Sequence, residues 1–109
     1  MKKLAISLML SLGLVVTAQA GDAGAGKKIS AACAACHGQD GNSAAPSFPK
    51  IAGLGEAYLA KQLKDFKSGA RDNAIMKGQV AALNDKQMED LAAYFSTKKR
   101  TVGYAAKDK

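Results

Sequence analysis

An all-α domain is predicted for this 109-residue chain by three observations. Apolar side chains recur at helical spacing in three separate segments, and no segment reads as a convincing strand. Between them lie stretches rich in glycine, proline and asparagine that are long for so small a chain. The first helical segment ends in Cys33-Ala34-Ala35-Cys36-His37, a motif with chemistry of its own.

Residues 1–20 are read as a cleavable export signal rather than as part of the fold. Lys2 and Lys3 form a positive start, Leu4 to Val16 is apolar, and Ala18-Gln19-Ala20 is a small-x-small cleavage site. The apolar run is shorter than the roughly 20 residues of a membrane span. Residues 21–100 then read as one domain, with a polar tail at 101–109. Asp22 to His37 reads as the first helix, capped by Asp22, with Gly26 placed to let another helix approach. Ile29, Ala32, Cys33 and Cys36 share helical spacing, which puts both thiols on the expected buried side. Gly38 to Gly55 is rich in turn formers, with Phe48, Ile51 and Leu54 as apolar anchors.

Glu56 to Ser68 is the second helix, carrying Tyr58, Leu59, Leu63 and Phe66 on one side and stopped by Gly69. Gly69 to Leu83 reads as a second loop, holding Met76. The last helix has the clearest start: Asn84 and Gln87 form a capping box, and Leu83 and Met88 stand at staple positions. Leu91, Ala92 and Phe95 continue its apolar face, and Lys98, Lys99 and Arg100 sit at its C-terminal end.

Two cysteines three residues apart with a histidine after the second form a c-type haem attachment motif. Each sulfur can add across one vinyl group of the porphyrin, and His37 is placed to give a nitrogen to the iron. A disulfide over so short a loop would be strained and leaves His37 without a role. A thioredoxin-like dithiol needs a strand–helix–strand setting, and a zinc site needs four ligands. The chain has two cysteines and one histidine in all.

Composition agrees. Lys2 and Lys3 account for two of the +7 formal charges, so residues 21–109 carry +5 before the two haem propionates subtract from it. Aromatic residues make up 6% and there is no tryptophan, a small core that a buried porphyrin would complete. The pI near 9.5 comes from basic residues spread along amphipathic helices, with no basic–aromatic patch. Nucleic acid is therefore not an expected partner. A basic surface instead steers acidic ones, with Lys50, Lys64 and Lys77 as contributors near the haem-facing loops. For a second axial ligand the candidates after signal removal are Met76, Met88 and Lys77.

The segments CAACHGQDGN, FPKIAGLGEAYLAKQLKDFKSGAR and NAIMKGQVAALNDKQMEDLAAYF, in that order over residues 22–97, resemble the class I c-type cytochromes. The likeness is to the small mono-haem periplasmic bacterial type, a branch that also supplies the halves of tandem di-haem members. The resemblance implies a class I cytochrome c fold, with N- and C-terminal helices crossing at Gly26 and long loops wrapped around one covalent haem. It implies iron held by His37 and Met76, and a Pro49 backbone carbonyl that accepts the Nδ1 proton of His37. The expected function is a periplasmic one-electron carrier and not an enzyme, a monomer without a membrane span. Its partners would be a terminal oxidase, a quinol-oxidising complex or a periplasmic reductase, docking through acidic patches. The alternative is a haem enzyme or gas sensor with an open sixth iron position.

Overall fold

A computed structural model of the chain describes residues 20–103. Residues 1–19 of the expected 1–20 signal, and the tail beyond 103, lie outside the described residues. Five helices appear in order: α1 (Ala23–Ile29), α2 (Ala31–His37), α3 (Glu56–Ser68), α4 (Ala74–Val80) and α5 (Asp85–Ser96). Among the described residues there is no strand, and no helix is long and apolar enough to cross a membrane.

The single first helix expected from the sequence is two. Asp22 caps α1, its carboxylate accepting from the amides of Gly24 at 2.8 Å and Ala25 at 3.2 Å. At Ser30 the hydroxyl donates back to the carbonyl of Lys27 at 2.8 Å. Such back-bonding competes with the helical ladder, and α2 starts afresh one residue later.

Helix α1 packs on α5 with almost no space between backbones. A Cβ on Gly26 would stand 2.0 Å from the carbonyl oxygen of Asp90 and 2.9 Å from Cβ of Tyr94. Only a hydrogen fits there. The contact is locked by Asp90, whose Oδ1 accepts from the amide of Asp22 at 2.7 Å and pairs with Lys86 at 3.0 Å. Helix α5 supplies most of the core through Met88, Leu91, Ala92, Ala93, Tyr94 and Phe95, and α3 adds Leu59 and Phe66. Burial of each large apolar side chain contributes about 2 kcal/mol. Tyr94 and Phe95 meet edge to face with centroids 5.0 Å apart. Tyr58, grouped with the core face of α3 by its spacing, is instead 53% exposed.

The start of α5 follows its sequence signature. The Asn84 side chain accepts from the Gln87 amide and the Gln87 side chain accepts from that of Asn84. Helix α3 ends at Gly69, which takes the left-handed conformation at φ +85°. The segment read as a loop from 69 to 83 contains α4, a two-turn helix capped by Asn73, whose Oδ1 accepts from the amide of Met76 at 3.0 Å.

Residues 38–55 carry no regular element and are fastened one bond at a time. The carbonyl of Gly41 accepts from the amides of Ile51 at 2.8 Å and Ala52 at 3.1 Å, and Gly53 donates to Phe95 at 3.0 Å. Ile51 and Leu54 pack on the core as anchors; Phe48, at 37% exposed, does not. The chain after α5 returns across this loop. Asn42 Nδ2 donates to the carbonyl of Lys99 at 2.8 Å, and the Thr101 amide donates to Asn42 Oδ1 at 2.9 Å. Thr101, placed in the tail by its sequence position, is thus tied to the folded domain.

Candidate functional site

Cys33, Cys36 and His37 lie within about one turn of α2. The two sulfurs do not share an environment. Cys33 is half-buried against the core cluster of Leu59, Leu91, Ala92, Tyr94 and Phe95, whereas Cys36 is exposed on the protein surface. The expectation that both thiols face the interior holds for Cys33 alone. Residues three apart lie on one side of a helix, so both sulfurs can reach a single porphyrin.

Burial pushes the Cys33 thiol up from its ordinary value. A thiol–disulfide enzyme needs the reverse, a thiolate favoured by a helix N-terminus or a neighbouring cation. No group of three or more His, Cys, Asp or Glu side chains capable of holding a metal comes together among the described residues. That speaks against a zinc-type cluster built from those groups.

His37, the last residue of α2, is 8% exposed. Its Nδ1 lies 2.7 Å from the carbonyl oxygen of Pro49, twelve residues along the chain. A carbonyl can only accept, so Nδ1 carries the proton, and in the neutral ring Nε2 is the nitrogen with the lone pair. That is the tautomer of a metal-ligating histidine whose other nitrogen is held by a backbone oxygen. Gly38 turns the chain sharply after His37 at φ +86°, which sends the loop out before it returns with Pro49.

Met76 stands apart from this group. It is half-buried on α4, which packs on α3, and its thioether comes from a short capped helix rather than from a loop. Met88 is 1% exposed within α5. It occupies the core, as its staple position anticipated.

The donor set fits a covalent haem. Two thiols stand one turn apart, a buried imidazole has its tautomer set by an acceptor, and a thioether sits on a separate element. The surface lysines need one correction. Lys50 is 7% exposed, with Nζ bonded to Thr101, and Lys64 pairs with Glu89 at 3.0 Å. Of the three steering candidates only Lys77 is exposed. Sequence reasoning misses the joint roles of Asn42, Lys50 and Thr101; the only local signal is Asp40-Gly41-Asn42, which reads as a turn.

An all-helical fold closing on a C-x-x-C-H helix defines a class I c-type cytochrome, and comparison agrees. The family model for cytochrome c matches residues 23–99, and the chain belongs to the cytochrome c family, whose members carry a covalently bound c-type haem with its iron. It is 53% identical over 106 residues to cytochrome c4 of Pseudomonas aeruginosa, covering 96% of this chain and 53% of the relative. The thiosulfate dehydrogenase electron acceptor of Stutzerimonas stutzeri is 44% identical over 90 residues, covering 76% of this chain and 42% of the relative. The crystal structure of reduced recombinant cytochrome c4 from Pseudomonas stutzeri superposes with a TM-score of 0.74 at 52% identity. That match covers 80% of this chain and 50% of the other. The chain thus spans about half the length of these relatives.

Proposed function

We propose that this chain is a periplasmic one-electron carrier rather than an enzyme, with residues 1–20 removed on export and residues 21–100 forming the haem domain. Cys33 and Cys36 would hold the haem through thioether bonds, and His37 Nε2 and Met76 Sδ would ligate its iron. The observation that carries the reading is the 2.7 Å contact of His37 Nδ1 with Pro49 O. It leaves Nε2 as the only free donor of the only histidine in the chain.

Bound haem supplies a ferric–ferrous couple, and the protein supplies ligands, burial and access. Pro49 O keeps the imidazole in one tautomer and one orientation and raises the basicity of Nε2. The soft thioether of Met76 favours the ferrous state and so a higher potential than a second nitrogen. With His37 and Met76 both bound to the iron, substrate would have no coordination site, which separates a carrier from an oxygen, peroxide or nitric oxide protein. Relatives named as electron acceptors of a dehydrogenase support the carrier reading. Partners are redox proteins with acidic docking patches, such as a terminal oxidase, a quinol-oxidising complex or a periplasmic reductase. Exposed cations including Lys27, Lys28, Lys77 and Lys99 give the electrostatic steering.

The test is spectroscopic. Met76→Ala is expected to abolish the methionine-to-iron charge-transfer band and lower the potential, while Met88→Leu keeps both. Wild-type ferrous protein that binds carbon monoxide at once, or a band that survives Met76→Ala, would place the sixth ligand elsewhere.

A further inference from the structure

Pro49 O is only as well placed as the peptide plane it belongs to. That plane is rigid and shared with Lys50. Proline has no amide hydrogen and cannot fasten itself, so its neighbours must hold it. On one side the Ile51 amide donates to Gly41 O at 2.8 Å. On the other, Lys50 is turned inward. Its Nζ donates to the Thr101 carbonyl at 3.0 Å and to Thr101 Oγ1 at 2.6 Å. Its carbonyl meets Arg100 Nη1 at 3.4 Å. Thr101 is itself pinned, its amide and hydroxyl 2.9 and 3.1 Å from Asn42 Oδ1. Asn42 closes the loop by donating to Lys99 O at 2.8 Å.

A lysine belongs in water unless its ammonium is well bonded. At 7% exposed, Lys50 has left the surface for a threonine 51 residues away. An aliphatic side chain would fill that place without desolvating a charge, so packing alone does not account for it. A directed, multi-donor group does, because it fixes both the position and the tilt of the backbone next to it.

We propose that Lys50, fastened to Thr101 and Asn42, is a positioning residue for the proximal ligand: it holds the Pro49–Lys50 peptide so that Pro49 O bears on His37 Nδ1. The strap of residues 99–101 thereby reaches the iron through a single carbonyl. The inference rests on the ligation of iron by His37 proposed above.

Two opposing effects dictate the choice of variants. A slack Pro49 carbonyl makes His37 a weaker donor to ferric iron and raises the potential. Loss of the Lys50 charge alone lowers it, because a nearby positive charge disfavours the ferric state. Thr101→Val removes the shorter of the two acceptors, Oγ1, together with the hydroxyl's bond to Asn42, and leaves the charge, so it isolates the first effect. In the haem-loaded protein it is expected to shift the ferric–ferrous equilibrium about threefold toward ferrous, about +28 mV at 59 mV per decade. Solvent exchange of the His37 Nδ1 proton, followed by NMR, should quicken severalfold. Lys50→Met is expected to quicken that exchange further, and Lys50→Arg, which keeps the charge and the donors, to bring it back toward wild type.

Thr101→Val and Lys50→Met proteins that melt earlier, yet keep the wild-type Nδ1 exchange, would show a clamp for stability only and overturn the proposal. If Lys50→Met does not load haem, Thr101→Val decides alone. A ferric wild type whose His37 ring protons show no shift from the iron would overturn the ligation reading, and this proposal with it.

Discussion

The α1–α5 contact and the 38–55 loop are built on different principles. At the contact, Gly26 brings one helix backbone against another and a stripe of apolar side chains from α5 fills the space around it. In the loop almost nothing repeats. Position is set by single groups reaching specific oxygens: Ile51 to Gly41, Gly53 to Phe95, Asn42 to Lys99, Lys50 to Thr101. The first region carries stability and contains neither His37 nor Met76. The second carries the carbonyl that orients His37. Substitutions in the helical contact should therefore move the melting temperature with little effect on the potential, and substitutions in the loop should do the reverse.

The largest effect is expected at Gly26. An alanine Cβ would meet the Asp90 backbone at 2.0 Å, and backbone cannot turn aside as a side chain can. Gly26→Ala should cost about 3 kcal/mol in urea unfolding of the haem-loaded protein. Its methionine-to-iron band should be unaltered in whatever fraction stays folded. Loss of the band in folded Gly26→Ala protein would erase the division between the two regions.

Gly41 offers the matching substitution in the loop. It sits at φ +78°, and a Cβ there would lie 2.9 Å from the Ala52 amide nitrogen and 3.0 Å from the Phe95 ring. Left-handed backbone costs an alanine about 1 kcal/mol, and the contact adds a similar amount. Gly41→Ala should thus cost about 2 kcal/mol, less than Gly26→Ala. Unlike Gly26→Ala it should also shift the potential, because Gly41 O holds the residue two beyond Pro49. A potential equal to wild type would show that the loop tolerates strain without passing it to His37.

What could be read in the sequence divides along the same line. The capping box of α5 was legible because Asn84 and Gln87 need only each other. The close approach at Gly26 was legible because glycine in a helix is costly and wants a reason. The Cys33–His37 group was legible because three chemical roles fall on one turn. Ser30 hid the break between α1 and α2, since a serine hydroxyl bonds its own helix or not according to surroundings that periodicity does not report. Helix α4 hid behind its length of seven residues and behind Gly78. The inward turn of Lys50 was beyond reach, because the partner that draws it in lies 51 residues on. The contact of Pro49 with His37 entered through family resemblance alone, since no local pattern announces a carbonyl acceptor.

Gly78 supplies a control for both glycine variants. It stands inside α4, and a Cβ added to it would meet nothing within 4 Å. Gly78→Ala should stabilise the protein by roughly 0.5–1 kcal/mol through helix propensity. A loss of stability would mean that α4 is pressed against something in the haem-loaded protein, which would tie the proposed role of Met76 more closely to the helix that carries it.

The smallest effects concern two carboxylates, one in each region. The Asp22 amide, with Lys86 assisting, holds the Asp90 carboxyl below the usual carboxylate range, against an opposing effect of burial. The Asn42 amide, 2.9 Å away, does the same for Asp40 in the loop. Each folded value lies below the unfolded one, so the stability these groups contribute is complete above about pH 4 and drains away as pH falls through the folded value. Asp90→Asn and Asp40→Asn both keep an oxygen for the backbone amide but lose the charge, so each should lower the melting temperature at pH 7 and converge on wild type below about pH 4. Each should flatten its fall with acid below about pH 4. The change should be greater for Asp90, which is buried beside Lys86 at 3.0 Å, than for Asp40, which is exposed. The order matters because it tests where charge is sheltered. A larger change from Asp40→Asn would show that the loop, and not the helix contact, is the first part of the fold to yield to acid.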